Sequence, residues 1–552
     1  MKEDLRYSDG CEQGGSVSHL VPIVGLTVTP SGEKCPVLLE LSLPSVKKQL
    51  KLDRPPREKS EYSLATLSLE AWWKLGIIHF YCLTLSLAVF TGYFTLGLQS
   101  NYLGHMENIT DYKIEIGKLG DFQLFLSLLQ LGHSFGSVFA ILNLYFCHRW
   151  IILASLVLFL LLVGLEFLSS TYGTTLYCVC QMGQGFAAGL MNKTTTFYIH
   201  DISPVRFRKF CVCTTAASGT IGVILGKITS FALLEESDLF YNAEMFRVCL
   251  LYKCVTPVVL LLLLGIIPKS PFVVYRENGY HFGPQFDFSV RCLYPQYTLQ
   301  ERCQVVNEII RETQVQVHLV TGNLYSPVIT IDNLGILSLM TVLSSIIMCR
   351  IFCFRNADLF GSIGIDEEFG SLIFSVAVLI GNIGGIIISV LSKRSKDVTL
   401  GGILTLVVFI IVAGGIAKYD QHLDNPCLTK MYTYLLMGFL IAINSTFAIH
   451  AHGFFPSHNR NNRIVVSSWC SGVSWFVTFL MSVFFKIVSS FIGIYSVWII
   501  LICLVASLLL ICCYGETIEN SKSPEGGRLI LEVSERIVSW VKRTATYSKR
   551  AI

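Results

Sequence analysis

Twelve stretches of this chain are apolar enough, and long enough, to cross a hydrocarbon layer, and no other feature narrows its fold so far. They run at about 75–98, 122–146, 150–169, 175–199, 210–233, 247–267, 333–354, 370–391, 399–417, 430–453, 464–487 and 491–514. A helix of roughly 20 apolar residues spans the ~30 Å core of a bilayer. A backbone in lipid must satisfy its own hydrogen bonds, and continuous apolar runs of this length do so as helices. The expectation is an all-α, integral multi-pass protein with twelve transmembrane helices in two six-helix bundles. Composition agrees, since only 14% of residues are charged, where a soluble chain carries nearer ~25%. The net charge of +4 is small and scattered, which excludes a nucleic-acid partner.

The gaps between runs sort by charge. Short gaps carry His148 and Arg149, then Arg206, Arg208 and Lys209, then Lys393, Arg394 and Lys396, then Arg460 and Arg463. The gap at 234–246 holds Glu235, Glu236, Asp238 and Glu244 without a basic residue, and that at 355–369 holds Asp358, Asp366, Glu367 and Glu368 against Arg355. Basic loops stay in the cytoplasm, so both termini are expected there. The gap at Asp201-Ile-Ser-Pro204-Val-Arg206 is an elbow, because Pro204 cannot continue a helix and the arginines cannot sit in hydrocarbon. A second elbow, Pro456 followed by Arg460, lies in the other half. The recurrence marks two related halves.

The expected divisions are a cytoplasmic tail at 1–72, a bundle at 73–267, a cytoplasmic linker at 268–332, a second bundle at 333–514 and a cytoplasmic tail at 515–552. The first tail is polar and proline-bearing and has no apolar core of a signal peptide, so none is expected to be cleaved. In the last tail, Ile530, Val533, Ile537, Trp540 and Val541 recur at helical spacing, which fits either an amphipathic helix on the inner leaflet or a solvated tail. Asn108-Ile-Thr110 is a glycosylation acceptor in a gap placed outside. Of the 19 cysteines, most fall inside apolar runs and none forms zinc-type pairs, so neither a metal nor any other cofactor is expected. The elements of an enzyme, a nucleophile with its base or a phosphate loop, do not stand out.

Tyr198, Asp201, Ile202, Ser203, Pro204 and Arg208 resemble the fourth-span elbow of the sugar porter branch of the major facilitator superfamily. Gln181, Gly185 and Gly189 stand where that branch has Arg-x3-Gly-x3-Gly. Phe246-Arg247, Pro268-Lys269-Ser270-Pro271 and Gly515-Glu516-Thr517 resemble three further signatures at the right spans. The resemblance covers nearly all of 75–520 and points to facilitative hexose transporters. It departs at the sugar-gripping positions: Ala216 for a fifth-span Gln, serines near Ser344 and Arg350 for the seventh-span amides, and Ala448 for a Trp.

The resemblance implies alternating access, with two bundles rocking about a central site. Asp201, Arg206, Arg208 and Arg247 from one half, with Arg460 and Glu516 from the other, suit a cytoplasmic gate of exposed pairs; the same charges also satisfy the positive-inside rule alone. Phe94 stands where proton-coupled relatives carry Asp, which favours facilitated diffusion. Glu166 and Lys193 sit near enough to span ends to snorkel. Arg350 either lines the cavity and attracts an anion or snorkels outward. His450 and His452 fit packing or a proton relay. Candidate solute-binding residues are Tyr93, Thr215, Ser344, Ser345, Arg350, Asn382, Asn444, Ser471 and Trp475, with Gln184 another polar group facing inward; such residues serve equally as helix–helix glue. The expected function is plasma-membrane transport of a small polar solute, a hexose such as glucose. The alternatives are a carrier of a different, anionic solute and a transporter-like nutrient sensor.

Overall fold

The computed structural model describes residues 23–28, 34–39, 76–106, 119–172, 174–204, 207–235, 243–278, 283–298, 301–302, 304–307, 309, 331–353, 367–391, 401–409, 411–412, 460–492 and 501–509, with single positions at 415, 438 and 441–442. The chain divides into Met1–Thr66 and Leu67–Ile552. In the first unit, β1 (Ile23–Val28) and β2 (Lys34–Leu39) pair antiparallel, Ile23 opposite Leu39. This hairpin is an exception to the all-α expectation.

In the second unit, helices lie over nine of the expected runs. They are α1 (Gly76–Met106), α2 (Leu119–Phe139), α3 (His148–Tyr172), α4 (Thr174–Ile202), α5 (Arg208–Glu235) and α6 (Ala243–Leu264) in the first half. In the second they are α9 (Ile331–Cys353), α10 (Glu367–Leu391) and α11 (Arg460–Ile492). The described residues at 401–409 and 501–509 are helical too. Among the described residues, five helices are long and apolar enough to cross a membrane. The α3 window has a mean hydropathy of 2.8, yet only 39% of it is buried. Leu161, Leu165 and Leu168 point outward, as they do when the surroundings are lipid rather than water.

Glycine decides how closely the first-half helices approach. A Cβ on Gly185 would strike the Leu129 carbonyl oxygen, and one on Gly189 the carbonyl of His133; Gly132 and Gly136 meet the α4 backbone in return. Small residues at such crossings let backbones touch where no hydrophobic force drives helices together in lipid. Gly164 on α3 has nothing within 4 Å. Gly185→Val is therefore expected to abolish the folded protein, while Gly164→Ala folds normally, as fluorescence-detected size exclusion in detergent would show. A folded Gly185→Val carrier would contradict the α2–α4 crossing.

Between the halves, α7 (Pro271–Glu277) and α8 (Pro284–Leu293) each begin with Pro at N1 or N2, where its missing N–H costs nothing. Phe272, Val274, Tyr275, Phe286, Val290, Leu293 and Tyr294 join the same core as α1 and α3–α6. The Tyr294 hydroxyl donates to the Ile202 carbonyl (2.8 Å), and the Tyr198 hydroxyl donates to that of Pro268. The start of the linker is thus packed onto one end of the first bundle and holds the elbow after α4 in place.

Candidate functional site: a latched seam between two halves

Helix α4 ends at the elbow, and Asp201 sits in its last turn because Pro204 stops the helix there. Arg460 opens α11, directly after the second elbow. The two residues are 259 apart in sequence, yet Arg460 Nε donates to both Asp201 oxygens (3.2 and 3.0 Å) and Nη2 donates to Oδ2 (2.7 Å). His148, at the start of α3, completes the group: its Nε2 lies 3.0 Å from Asp201 Oδ2 and 2.9 Å from Arg460 Nη2. Asn143 donates from Nδ2 to the Ala140 carbonyl and to Thr194 Oγ1, so its Oδ1 must accept at 2.6 Å from His148 Nδ1. That accounting places a proton on Nδ1.

Of the charges expected at the gate, Asp201 and Arg460 meet, but as a buried pair rather than an exposed one. The Arg460 and Asp201 side chains are 5% and 2% exposed. Burial removes water's competition, so each partner depends on the other far more than at a surface. Arg208 donates instead to the Ser203 carbonyl of its own elbow (3.4 Å). Arg206 and Glu516 lie outside the described residues, and Arg247 lies on α6 with its side chain outside them.

Away from the latch, α2 and α11 face each other along a polar seam. Ser134 Oγ donates to the Gly472 carbonyl (2.8 Å), Ser471 to Ser137 (3.3 Å) and Ser482 to Gln130 Oε1 (2.8 Å). A second seam joins α5 to α10: Asn382 Nδ2 donates to Thr220 Oγ1 (2.6 Å), and Lys227 Nζ to Ser375 Oγ (2.9 Å). Each neutral bond is worth about 1 kcal/mol net, a scale suited to contacts that open repeatedly. Between the seams stand three rings. Trp475 lies 4.5 Å from His133 and 5.8 Å from Tyr93, centre to centre.

The sequence matches a family model described as sugar (and other) transporter over residues 81–520. The chain belongs to that family. Among solved structures, this sugar porter is similar to a major facilitator proton:xylose symporter, XylE, bound to 6-bromo-6-deoxy-D-glucose, with TM-score 0.65 and 15% identity over 82% of this chain and 98% of that one. The likeness to a partially occluded inward-open XylE from E. coli has TM-score 0.55 and 16% identity, over 78% of this chain and 99% of that one. To an inward-open form from E. coli it is 0.55 and 16%, over 79% and 96%. These establish the major facilitator fold. No curated protein matches the sequence.

Within this fold the expected solute-binding residues separate. Tyr93 and Trp475 come together at the ring cluster, and Ser471 and Asn382 lie on the two seams. Ser345 Oγ bonds to Ser474 Oγ (2.8 Å) and to the Thr341 carbonyl, joining α9 to α11. Ser344 and Thr215 donate to carbonyls of their own helices, Thr341 and Val212. The Arg350 side chain lies outside the described residues, as do Asn444, His450, His452 and the Asn108 acceptor.

The expectation that Glu166 reaches towards a span end is overturned. Glu166 does not snorkel: it is fully buried, with Lys253 Nζ 2.9 and 3.0 Å from its two oxygens, Gln181 Nε2 donating to Oε1 (2.8 Å) and Gln184 Nε2 to Oε2 (2.6 Å). A carboxylate deep in a bundle is held by its donors rather than by reach to water. Sequence reasoning passed over Lys253, His148 and His133. The available signal was a lone Lys and a lone Glu in separate spans of one bundle, since such charges seldom lack each other.

Proposed function

We propose that this protein moves a small polar solute of the sugar class, a hexose such as glucose first among them, by facilitated diffusion through alternating access. The observation that carries this is the buried Asp201–His148–Arg460 group, which ties the halves at one end, with the rings of Tyr93, His133 and Trp475 meeting across the halves away from it. A carrier needs such an arrangement: a site between two rigid bundles, and a closure that breaks when they rock. Aromatic faces beside hydrogen-bonding groups suit the alternating apolar and hydroxyl surfaces of a sugar. Downhill movement is supported by Phe94, which is 6% exposed and stacked on Phe90 at 5.7 Å. It offers no proton where a coupled carrier needs a carboxyl.

In this reading the latch end, the linker and both tails face the cytoplasm, and the protein resides in the plasma membrane. The test is counterflow of labelled glucose in liposomes holding the purified carrier, at equal pH on both sides. Saturable accumulation is expected. Trp475→Ala should fold normally and weaken the apparent affinity about ten-fold, equivalent to ~1.4 kcal/mol of lost contact. Folded protein that never accumulates any labelled sugar would sink the proposal.

A further inference from the structure

Lys193 lies on α4 eight residues before Asp201, so it stands ~12 Å along the helix from the latch. Gly189, one turn earlier, packs against the backbone of His133 on α2. Lys193 therefore stands one turn, ~6 Å, beyond the level of His133 towards the latch, on the neighbouring helix. Lys193 is half-buried, and Cys470 on α11, in the other half, is near enough to act on its charge. The adjacent Ser471 meets Ser137 across the same seam. Among the described residues Lys193 makes no hydrogen bond and no ion pair. His133 is 2% exposed, and among the described residues neither ring nitrogen has a partner at hydrogen-bond geometry, the backbone of Leu129 one turn back on its own helix being the nearest group that acts on it.

Both facts are costly as they stand. A polar group out of water without a partner loses about 1–3 kcal/mol, and a lone ammonium more. The two acidic side chains described on the membrane helices are engaged elsewhere: Glu166 by Lys253 and Asp201 by Arg460. Among the described residues none supplies a counter-charge for Lys193, and a solute entering from outside can. A neutral hexose could satisfy His133 with a hydroxyl, but it leaves the ammonium without a counter-charge. An anionic oxygen group satisfies both through charge-assisted hydrogen bonds.

We propose that the solute is an anionic sugar, bearing a carboxylate or a phosphate, whose charged group binds Lys193 and His133 while its ring lies against Tyr93 and Trp475. This rests on the sugar-carrier reading above and narrows its substrate class. The experiment compares counterflow of labelled glucose, glucuronate and glucose 6-phosphate in liposomes, for the native carrier and for Lys193→Gln, Lys193→Arg and His133→Gln.

At least one anion is expected to accumulate well above glucose, and the one that does tells carboxylate from phosphate. In net uptake into liposomes without internal anion, an inside-positive potential should accelerate it, because the anion then moves its charge alone. Lys193→Gln should lower anion uptake at least about ten-fold while eluting as folded protein, Lys193→Arg should retain most of it, and His133→Gln should fall between. Glucose moving while neither anion does overturns this proposal and leaves the sugar carrier standing. Anion uptake undiminished in Lys193→Gln overturns it as well. A folded carrier that moves none of the three overturns the carrier reading and this one together.

Discussion

Arg460→Gln is expected to empty the latch-closed state. Its guanidinium makes three hydrogen bonds to Asp201 and a fourth contact to His148, all out of water. Removing it leaves a buried carboxylate facing an imidazole, and breaking a buried pair from one side costs about 3–5 kcal/mol. Because the pair joins the two halves rather than stabilising either one, that cost falls on the closed arrangement and leaves the bundles folded. A shift of this size changes the ratio of closed to open forms by at least about a hundred-fold. Cys147, buried beside the latch at 7% exposure, reports it: peptide-resolved alkylation should be slow in the native carrier and fast in Arg460→Gln. Turnover should collapse because one arm of the cycle is no longer populated. Asp201→Asn paired with Arg460→Gln should close better than Arg460→Gln alone, since no lone charge remains. Alkylation of Cys147 at the native rate in Arg460→Gln would show that the seams, rather than the latch, hold that end shut.

Lys253→Met should destabilise the first bundle itself by about 3–5 kcal/mol, because it strands the Glu166 carboxylate among α3, α4 and α6 with two amide donors as its remaining described partners. Here both members of the pair belong to one bundle, so the loss appears in folding and not in the open–closed balance. Thermal unfolding in detergent should show a large drop for Lys253→Met. It should show a much smaller one for Glu166→Gln with Lys253→Met, where neither charge is left behind. Equal loss in the single and double variants would mean that the cluster stabilises through packing alone. The contrast between the two pairs separates a part that moves from a part that stays rigid, using charges of the same kind.

Departures from the family pattern take on a physical sense beside these clusters. Gln181 stands where the branch carries Arg, and Phe94 where coupled relatives carry Asp. In this chain Gln181 donates to a carboxylate on α3, supplied by Glu166 and balanced by Lys253 on α6. The bundle thus keeps a compensated internal charge, assembled from other helices.

The sequence by itself determined the membrane class, the helical architecture and most ends of the described helices to within about five residues, the C-terminal ends of α1 and α2 excepted. Hydropathy and the placing of Pro204 and Pro456 are local properties, set by residues adjacent in the chain, and a bilayer reads them directly. It also singled out Asp201 and Arg460 as candidates to pair, because both sit at elbows of matching design in the sequence. What only the tertiary structure decided was which distant side chains meet, and how dry they are when they do. Burial of the latch follows from His148 and Asn143 folding over Asp201, and the capture of Glu166 follows from α6 packing on α3. The isolation of Lys193 and His133 follows from α11 closing against α2. Each depends on how the helices cross, as the glycine contacts of α2 with α4 illustrate, and no window of contiguous residues contains that information.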